Sequence, residues 1–320
     1  MTSEIHSDSG YVTANHLNSP IVIYEFITDT VGCLCASATL LVYFTVRGVP
    51  LRKAIIGIMT VFLLIPALGS ASEIGDISIG SEISDGISRL GHETVELART
   101  PFQIDNGNIL VTIGVSGAVG LTYVFDKDIR DKLQASRGKS LDKAADAGSQ
   151  AGNPIYHLGF AALVYGGAIA ADSPKWKEVG EMIGESLILA DASTLLLKET
   201  TGRGRPNATQ DNGDFKPLRF KNNYDSFPSM HTASSFALAS VLAATSESFT
   251  LKAAYYSAAT FVGFSRLYQN QHWASDVIMG AALGELCGRI VTHYHATGQS
   301  VAIVPQILEN GAGLAMVGRW

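Results

Sequence analysis

Residues 182–206 read MIGESLILADASTLLLKETTGRGRP. Up to Leu197 the stretch is mostly apolar, and its only charged residues are Glu185 and Asp191, which predicts a helix that is buried around most of its circumference. Beyond Lys198 the glycines and Pro206 break the helix and turn the chain back. The stretch therefore predicts a buried helix with Lys198 at its end and a loop that returns Arg205 toward the same pocket.

Similar helical stretches follow one another along the chain, preceded by an amphipathic pattern over residues 83–97 that predicts a surface helix. We expect an all-α fold, a compact bundle of about six core helices. A polar connection at 135–154 is expected to be a solvated linker, and the long loop at 202–228 to be functional. Weak alternation around Asn310-Gly311 predicts a short C-terminal β-hairpin. The apolar stretches lie at 109–125, 155–171, 182–197, 231–244, 253–264 and 276–291.

The composition separates the possible classes of protein. The 320 residues are 47% hydrophobic and only 16% charged, against about 25% charged in a typical soluble domain. The net charge of -6 argues against a nucleic-acid partner, and three cysteines form neither a disulfide framework nor a zinc motif. A mean hydropathy of +0.19 is low for six membrane spans. We favour a bundle in the periplasm or at the membrane surface, with intramembrane helices as the alternative.

The N-terminal 71 residues differ from the rest. Two apolar stretches, 31–46 and 54–69, are separated by Arg47, Arg52 and Lys53. The second stretch ends in small residues and resembles a cleaved or anchoring export signal, with a start of translation near Val49 as one explanation of its position. A transmembrane hairpin and a buried helix pair are the other interpretations. We therefore expect 1–71 to be a polar terminus with a signal or anchor, and 72–320 to be a helical domain exported to the periplasmic side.

Three clusters carry the chemistry. Lys198 and Arg205 combine a point charge with a planar guanidinium, which suits a tetrahedral oxyanion. Ser229 is placed as the N-cap of the next helix, so that the amides of Met230 and His231 can face an anion. Each pattern alone is more often a solvated loop or an ordinary capped helix.

The third cluster is Ser265-Arg266, followed by His272 and Asp276. The last two residues are four apart, one helical turn, so the carboxylate can accept the Nδ1 proton of the imidazole and leave Nε2 as a nucleophile. Arg266 is a further anion donor. Alone, this spacing is more often a structural ion pair.

Taken together, the clusters read Lys-x6-Arg-Pro, Pro-Ser-x-His and Ser-Arg-x5-His-x3-Asp, in this order from Lys198 to Asp276. This order resembles the signature of the type 2 phosphatidic acid phosphatase superfamily, which includes bacterial acid phosphatases, lipid phosphate phosphatases and vanadium haloperoxidases. Met230 departs from the family, whose commonest residue there is Gly. Its amide is retained, so we treat this as a tuning difference.

The resemblance implies catalytic roles. His272 would attack phosphorus and form a phosphohistidine, oriented by Asp276, while His231 would protonate the leaving oxygen and later activate water. No metal or other cofactor is expected. The residues that the resemblance implies as phosphate ligands are Lys198, Arg205, Ser229, Met230 and Arg266.

The expected function is a metal-independent phosphatase of phosphate monoesters or diphosphates. Its substrate is expected to be a lipid phosphate, which implies membrane association. A nonspecific acid phosphatase acting on soluble substrates and a vanadium-dependent haloperoxidase-like oxidoreductase are the alternatives. A non-catalytic role is disfavoured because every charged position of the signature is filled. The oligomeric state is not predicted.

Overall fold

The computed structural model describes residues 79–104, 108–219 and 223–297, together with the backbone of two later strands. These residues form an all-α bundle, as the sequence predicts. A single 3-10 turn, Thr100–Phe102, follows the first helix. The eight α-helices in the described part are α1 (Ile79–Arg99), α2 (Asn108–Ala135), α3 (Lys139–Ala151), α4 (Pro154–Ala170), α5 (Pro174–Thr201), α6 (Met230–Ala244), α7 (Phe249–Tyr268) and α8 (Ala274–Thr297).

The core of the bundle is formed by α5, α6 and α8. Fully buried aliphatic side chains of α5, among them Ile183 and Leu187, pack against Val241 of α6 and Val291 of α8. Helices α5 and α7 run toward one end of the bundle, and α6 and α8 start there. This alternation brings two helix C-termini and two helix N-termini to the same end.

Glycines allow α6 and α8 to approach closely. Gly280, Gly284 and Gly288 lie one turn apart along α8 and form a stripe. A Cβ atom at Gly284 would lie 2.1 Å from the carbonyl oxygen of Ala233, and one at Gly288 would lie 2.4 Å from Cβ of Ser240. The backbones therefore meet with no side chain between them, as small-residue helix pairs do. This contact fixes the start of α6 against the start of α8.

The prediction of a solvated linker at 135–154 is wrong. The segment contains α3, which packs on α7 through Ala145 and Gly148, both buried. A Cβ atom at Gly148 would lie 3.0 Å from the ring of Phe261. Because α3 makes this contact with its smallest residues, its buried face has no large apolar side chains and no visible periodicity.

The described residues between α5 and α6, 202–219 and 223–229, lie in the long loop that the sequence predicts and include an isolated β-bridge between Arg203 and Phe215. The predicted C-terminal hairpin is present as two antiparallel strands, β1 (Val301–Leu308) and β2 (Gly311–Gly318). The predicted N-terminal signal or anchor, and the boundary at residue 72, lie outside the described residues.

Helix α2 carries an exposed apolar surface. It is long and apolar enough to cross a membrane, and the bundle buries none of its most apolar 18-residue window. Large side chains on α4 and α7, such as Leu163 and Phe249, are exposed as well. Exposed apolar surface of this kind is typical of a contact with a membrane or another protein. The surface thus agrees with the membrane association that the composition predicts.

Candidate active site

The predicted site residues meet at the end of the bundle where α5 and α7 finish and α6 and α8 begin. Lys198 lies in the last turn of α5, and Arg266 in the last turn of α7. His231 is in the first turn of α6, and His272 directly precedes α8. Arg205 reaches the same place from the long loop.

Lys198 is buried at the centre of a cation cluster. Its Nζ donates a hydrogen bond to the backbone carbonyl of Asp225. Burial lowers the pKa of Lys198; the Asp225 carboxylate raises it in part, and the Arg205 charge lowers it again, to a value of about 7. The site therefore holds an amine that is close to losing its proton at neutral pH.

Two arginines complete the cluster. Arg205 forms a bidentate pair with Asp225, Nε to Oδ1 at 2.8 Å and a terminal nitrogen to Oδ2 at 2.9 Å, and donates to Gln271 at 2.7 Å. Arg266 donates to Ser149 of α3, so the helix missed by the sequence prediction helps to position it. The Nε of Arg266 is buried without a hydrogen-bond partner in the described residues. A donor of this kind is available to an anion.

Asp225 was not predicted as a site residue. Burial alone would raise the pKa of its carboxyl, but the charges of Arg205 and Lys198 outweigh burial and hold it well below its ordinary value. The carboxylate is therefore charged and fixes the guanidinium of Arg205 in one plane. Its position in a polar loop gave no sequence signal.

His272 is buried, and its Nδ1 lies 2.7 Å from the backbone carbonyl of Ser226. Only a protonated Nδ1 can donate to a carbonyl, so Nε2 carries the free lone pair. Burial and then the charges of Lys198, Arg205 and Arg266 hold the pKa of His272 well below its ordinary value. A neutral imidazole with a free Nε2 is a competent nucleophile.

Asp276 does not accept the Nδ1 hydrogen bond that the His-x3-Asp spacing predicts. The nearer distance, Nδ1 to Oδ2, is 3.7 Å, an ion-pair separation. Its two oxygens accept instead from Arg203 at 2.5 Å, from the Ser226 hydroxyl at 2.5 Å and from the Trp273 amide at 2.8 Å. Asp276 therefore affects the His272 ring through its nearby negative charge and not through a hydrogen bond. The carbonyl of Ser226 fixes the His272 tautomer with the proton on Nδ1.

Arg203 is the second residue that sequence reasoning missed. Its side chain is 1% exposed and bridges the carboxylates of Asp126 on α2, at 2.7 Å, and Asp276. Its guanidinium carbon also lies 5.0 Å from the ring centre of Tyr123. A buried arginine between two carboxylates satisfies both charges. Unlike Arg205, which the Lys-x6-Arg-Pro spacing marks, Arg203 belongs to no sequence pattern.

His231 and the residues before it lie at the start of α6. Ser229 is the N-cap residue by position, but its side chain makes no capping bond; its amide donates to the carbonyl of Asp276 at 3.0 Å. Met230 is buried. Burial first, and then the charges of Arg266, His272 and Lys198, hold the pKa of His231 well below its ordinary value. The positive charges of the cluster thus lower the pKa of both histidines. The charged residues predicted from the sequence therefore lie close enough to interact electrostatically.

The site lies level with the end of the apolar surface on α2. Asp126, the first charged residue after that surface, accepts from Arg203 and from the Ser275 hydroxyl at 2.6 Å. One turn earlier, the carbonyl of Tyr123 accepts from Asn212 of the long loop at 2.9 Å. The cation cluster therefore sits where the apolar part of α2 ends.

Residues 182–299 match the PAP2 superfamily. This segment holds α6, α7, α8 and both histidines of the site. Over this segment the chain is similar to the PAP2 superfamily. The resemblance seen in the sequence and the all-α fold are thereby confirmed.

Two lipid A 1-phosphatases are among its relatives. The chain is 33% identical over 176 residues to the Porphyromonas gingivalis protein, which covers 53% of this chain and 35% of that protein. It is 29% identical over 108 residues to the Rhizobium johnstonii protein, covering 33% of this chain and 43% of that protein. The chain thus spans less than half the length of these relatives.

Two crystal structures are also similar. One is Aquifex aeolicus LpxE, with a TM-score of 0.43, 25% identity, and coverage of 53% of this chain and 96% of that chain. The other is a transmembrane PAP2-type phosphatidylglycerolphosphate phosphatase from Bacillus subtilis, with a TM-score of 0.42, 18% identity, and coverage of 66% and 96%.

Proposed function

We propose that this protein is a metal-independent phosphatase that hydrolyses a lipid phosphate through a phosphohistidine. The observation that supports it most is the neutral, buried His272, whose free Nε2 shares one charge field with Lys198, Arg205 and Arg266. Three cations beside one nucleophile match the charge of a phosphate in its transition state.

In the first step, Nε2 of His272 forms a bond to phosphorus as the bond from phosphorus to the leaving oxygen breaks. The leaving oxygen takes a proton from His231, and the lipid alcohol departs. In the second step, His231 takes a proton from water while the water oxygen attacks phosphorus and the P–N bond breaks. Orthophosphate leaves, and both histidines return to their starting states. Lys198, Arg205, Arg266, the Ser229 hydroxyl and the amides of Met230 and His231 bind the non-bridging oxygens.

His231 must be protonated to act as the acid, although its pKa is held low before substrate binds. The Arg266, His272 and Lys198 charges that act on it are the same ones that a phosphate would neutralise. A dianion bound among these cations favours the imidazolium. The negative charge of the bound substrate is thus expected to raise the pKa of His231 and keep it protonated.

The lipid substrate is supported by the position of the site and by the relatives. The cations lie level with the end of the apolar surface on α2, as a lipid head group does in a bilayer. Two relatives are lipid A 1-phosphatases. A phosphate on a glycolipid or glycerolipid can reach such a site without leaving the membrane.

The proposal also covers the division of the chain into two parts. We infer that residues 1–71 export or anchor the protein and that 72–320 form the catalytic domain, with the site facing the periplasm. The basic-then-apolar segment ending near Gly69 supports this orientation.

Trapping of the intermediate tests the mechanism. After rapid quenching with a lipid substrate labelled on phosphorus, the wild-type protein is expected to carry an acid-labile, base-stable label. His272→Ala removes the nucleophile and is expected to lose both the label and turnover.

Asp276→Asn is the comparison. Because Ser226 still fixes the tautomer of His272, this variant is expected to keep measurable turnover and to form the labelled intermediate more slowly. An adduct of the same chemistry on His272→Ala would show that another residue attacks phosphorus.

A further inference from the structure

A second cluster of ionisable side chains lies away from the proposed active site. Glu93 of α1, Glu185 of α5 and His295 of α8 each place one potential ligand atom within 4.8 Å of the other two. Glu185 precedes Lys198 on α5 by about 20 Å of helix rise. His295 lies near the C-terminus of α8, whereas His272 precedes its N-terminus. The cluster is therefore independent of the proposed chemistry.

Glu93 is the unusual member. Its side chain is 0% exposed, and neither carboxylate oxygen has a hydrogen-bond partner among the described residues. A buried carboxylate without partners costs several kcal/mol in effective terms, so such groups normally take up a proton, are paired, or bind a metal. This carboxylate lies next to Glu185, a second carboxylate, which adds repulsion between like charges.

The other two members, Glu185 and His295, contact each other directly and have further polar partners. Oε1 of Glu185 accepts from Nε of Arg89 at 2.8 Å, which leaves Oε2 to approach Nε2 of His295 at 2.7 Å. On the other side of the imidazole, Nδ1 lies 3.6 Å from Oε1 of Glu178. A carboxylate behind the second ring nitrogen is the usual support of a metal-binding histidine.

We propose that Glu93, Glu185 and His295 form a binding site for a divalent transition-metal ion, with zinc as the best match. Imidazole nitrogen and carboxylate oxygen are both zinc ligands in proteins, and a water completes four ligands. Zinc bonds of about 2.0 to 2.2 Å require only a small separation of Glu185 from His295. The ion joins α1 to α5 and α8 and neutralises the two carboxylates.

Zinc titration of the full chain in detergent, after removal of metal by a chelator, tests the site. One zinc ion is expected to bind per chain and to raise the thermal unfolding midpoint. Glu93→Gln keeps the shape but removes one ligand and is expected to weaken zinc affinity at least about tenfold, since even supporting residues have effects of 10–100-fold. His295→Gln is also expected to weaken zinc affinity at least about tenfold. This second variant tests the site if Glu93→Gln does not fold.

The control is Glu96→Gln, less than one turn along the same helix, whose carboxylate binds Gln103 instead. It is expected to bind zinc as the wild type does, and so is His272→Ala, because the metal site does not depend on the phosphatase chemistry. Absence of saturable 1:1 zinc binding, unchanged affinity in both ligand variants, or equal affinity for magnesium would overturn the proposal.

Discussion

The amine of Lys198 links the electrostatics of the site to a measurable pH profile. Its pKa of about 7 means that it is charged below neutral pH and neutral above. Since kcat/KM reports groups of the free enzyme, we expect kcat/KM to fall as pH rises through about 7. In Lys198→Arg the guanidinium keeps its charge, so this alkaline fall is expected to move upward by more than about one pH unit.

Lys216→Arg is the matched control for this measurement. Lys216 lies in the long loop, where it binds Asp214 and Tyr224 outside the site. Its profile is expected to follow the wild type. Ionisation of the substrate phosphate is common to all three proteins and cancels from the comparison. An alkaline fall at the same pH in Lys198→Arg would assign it to another group.

Sequence reasoning predicted charged residues that the structure brings together in the candidate site, but not the residues that hold them. Lys198, Arg266 and His272 belong to a pattern whose spacing is specific. Arg203 and Asp126 belong to no pattern, because their pairing joins α2 to a loop far along the chain. Their importance follows from burial, which local sequence does not determine.

The close contact of α6 with α8 fixes the start of α6, which carries His231, against the start of α8, which follows His272. Gly284→Ala places a methyl group against the carbonyl of Ala233, where backbone cannot yield as a flexible side chain does. We expect a loss of about 1–3 kcal/mol in unfolding free energy, as for other overpacked cores. Chemical denaturation of the purified protein in detergent measures this loss.

Gly184→Ala, on α5, provides the comparison. A Cβ atom there meets nothing within 4 Å, so the gain in helix propensity, about 0.5–1 kcal/mol, is expected to appear without a clash. Equal stability of the two variants would mean that α6 and α8 are not in close contact.

The success of prediction varied from helix to helix for a physical reason. The helices with large apolar side chains, such as α5 and α8, were predicted because their burial depends on those side chains. Their polar ends were not, so α5 starts at Pro174 rather than Met182. Helix α3 was missed because Ala145 and Gly148 make its contact. A hydrophobic pattern in the sequence reveals a helix that buries large apolar side chains. A helix that packs through alanine and glycine buries little apolar surface and shows no such pattern.

The two ends of the molecule are chemically distinct. The end with the cation cluster collects the long loop, while the opposite end carries the short α4–α5 and α6–α7 turns. Helix α6 alone separates the ends by about 21 Å of helix rise. The exposed apolar surface of α2 lies between the level of the site and the far end. A bilayer around this surface would place the two ends on opposite sides.

This arrangement predicts which end reacts with a membrane-impermeant maleimide in intact cells. The background is a chain whose three cysteines are replaced by alanine. Ala208 is exposed and lies beside Arg205, at the end of the molecule that holds the site. Because the site is proposed to face the periplasm, Ala208→Cys is expected to be labelled in intact cells with a permeable outer membrane. Glu247→Cys, exposed in the α6–α7 turn, is expected to be labelled only after lysis. Labelling of Glu247→Cys alone in intact cells would place the site on the cytoplasmic side, and labelling of both would mean that the bundle does not cross the membrane.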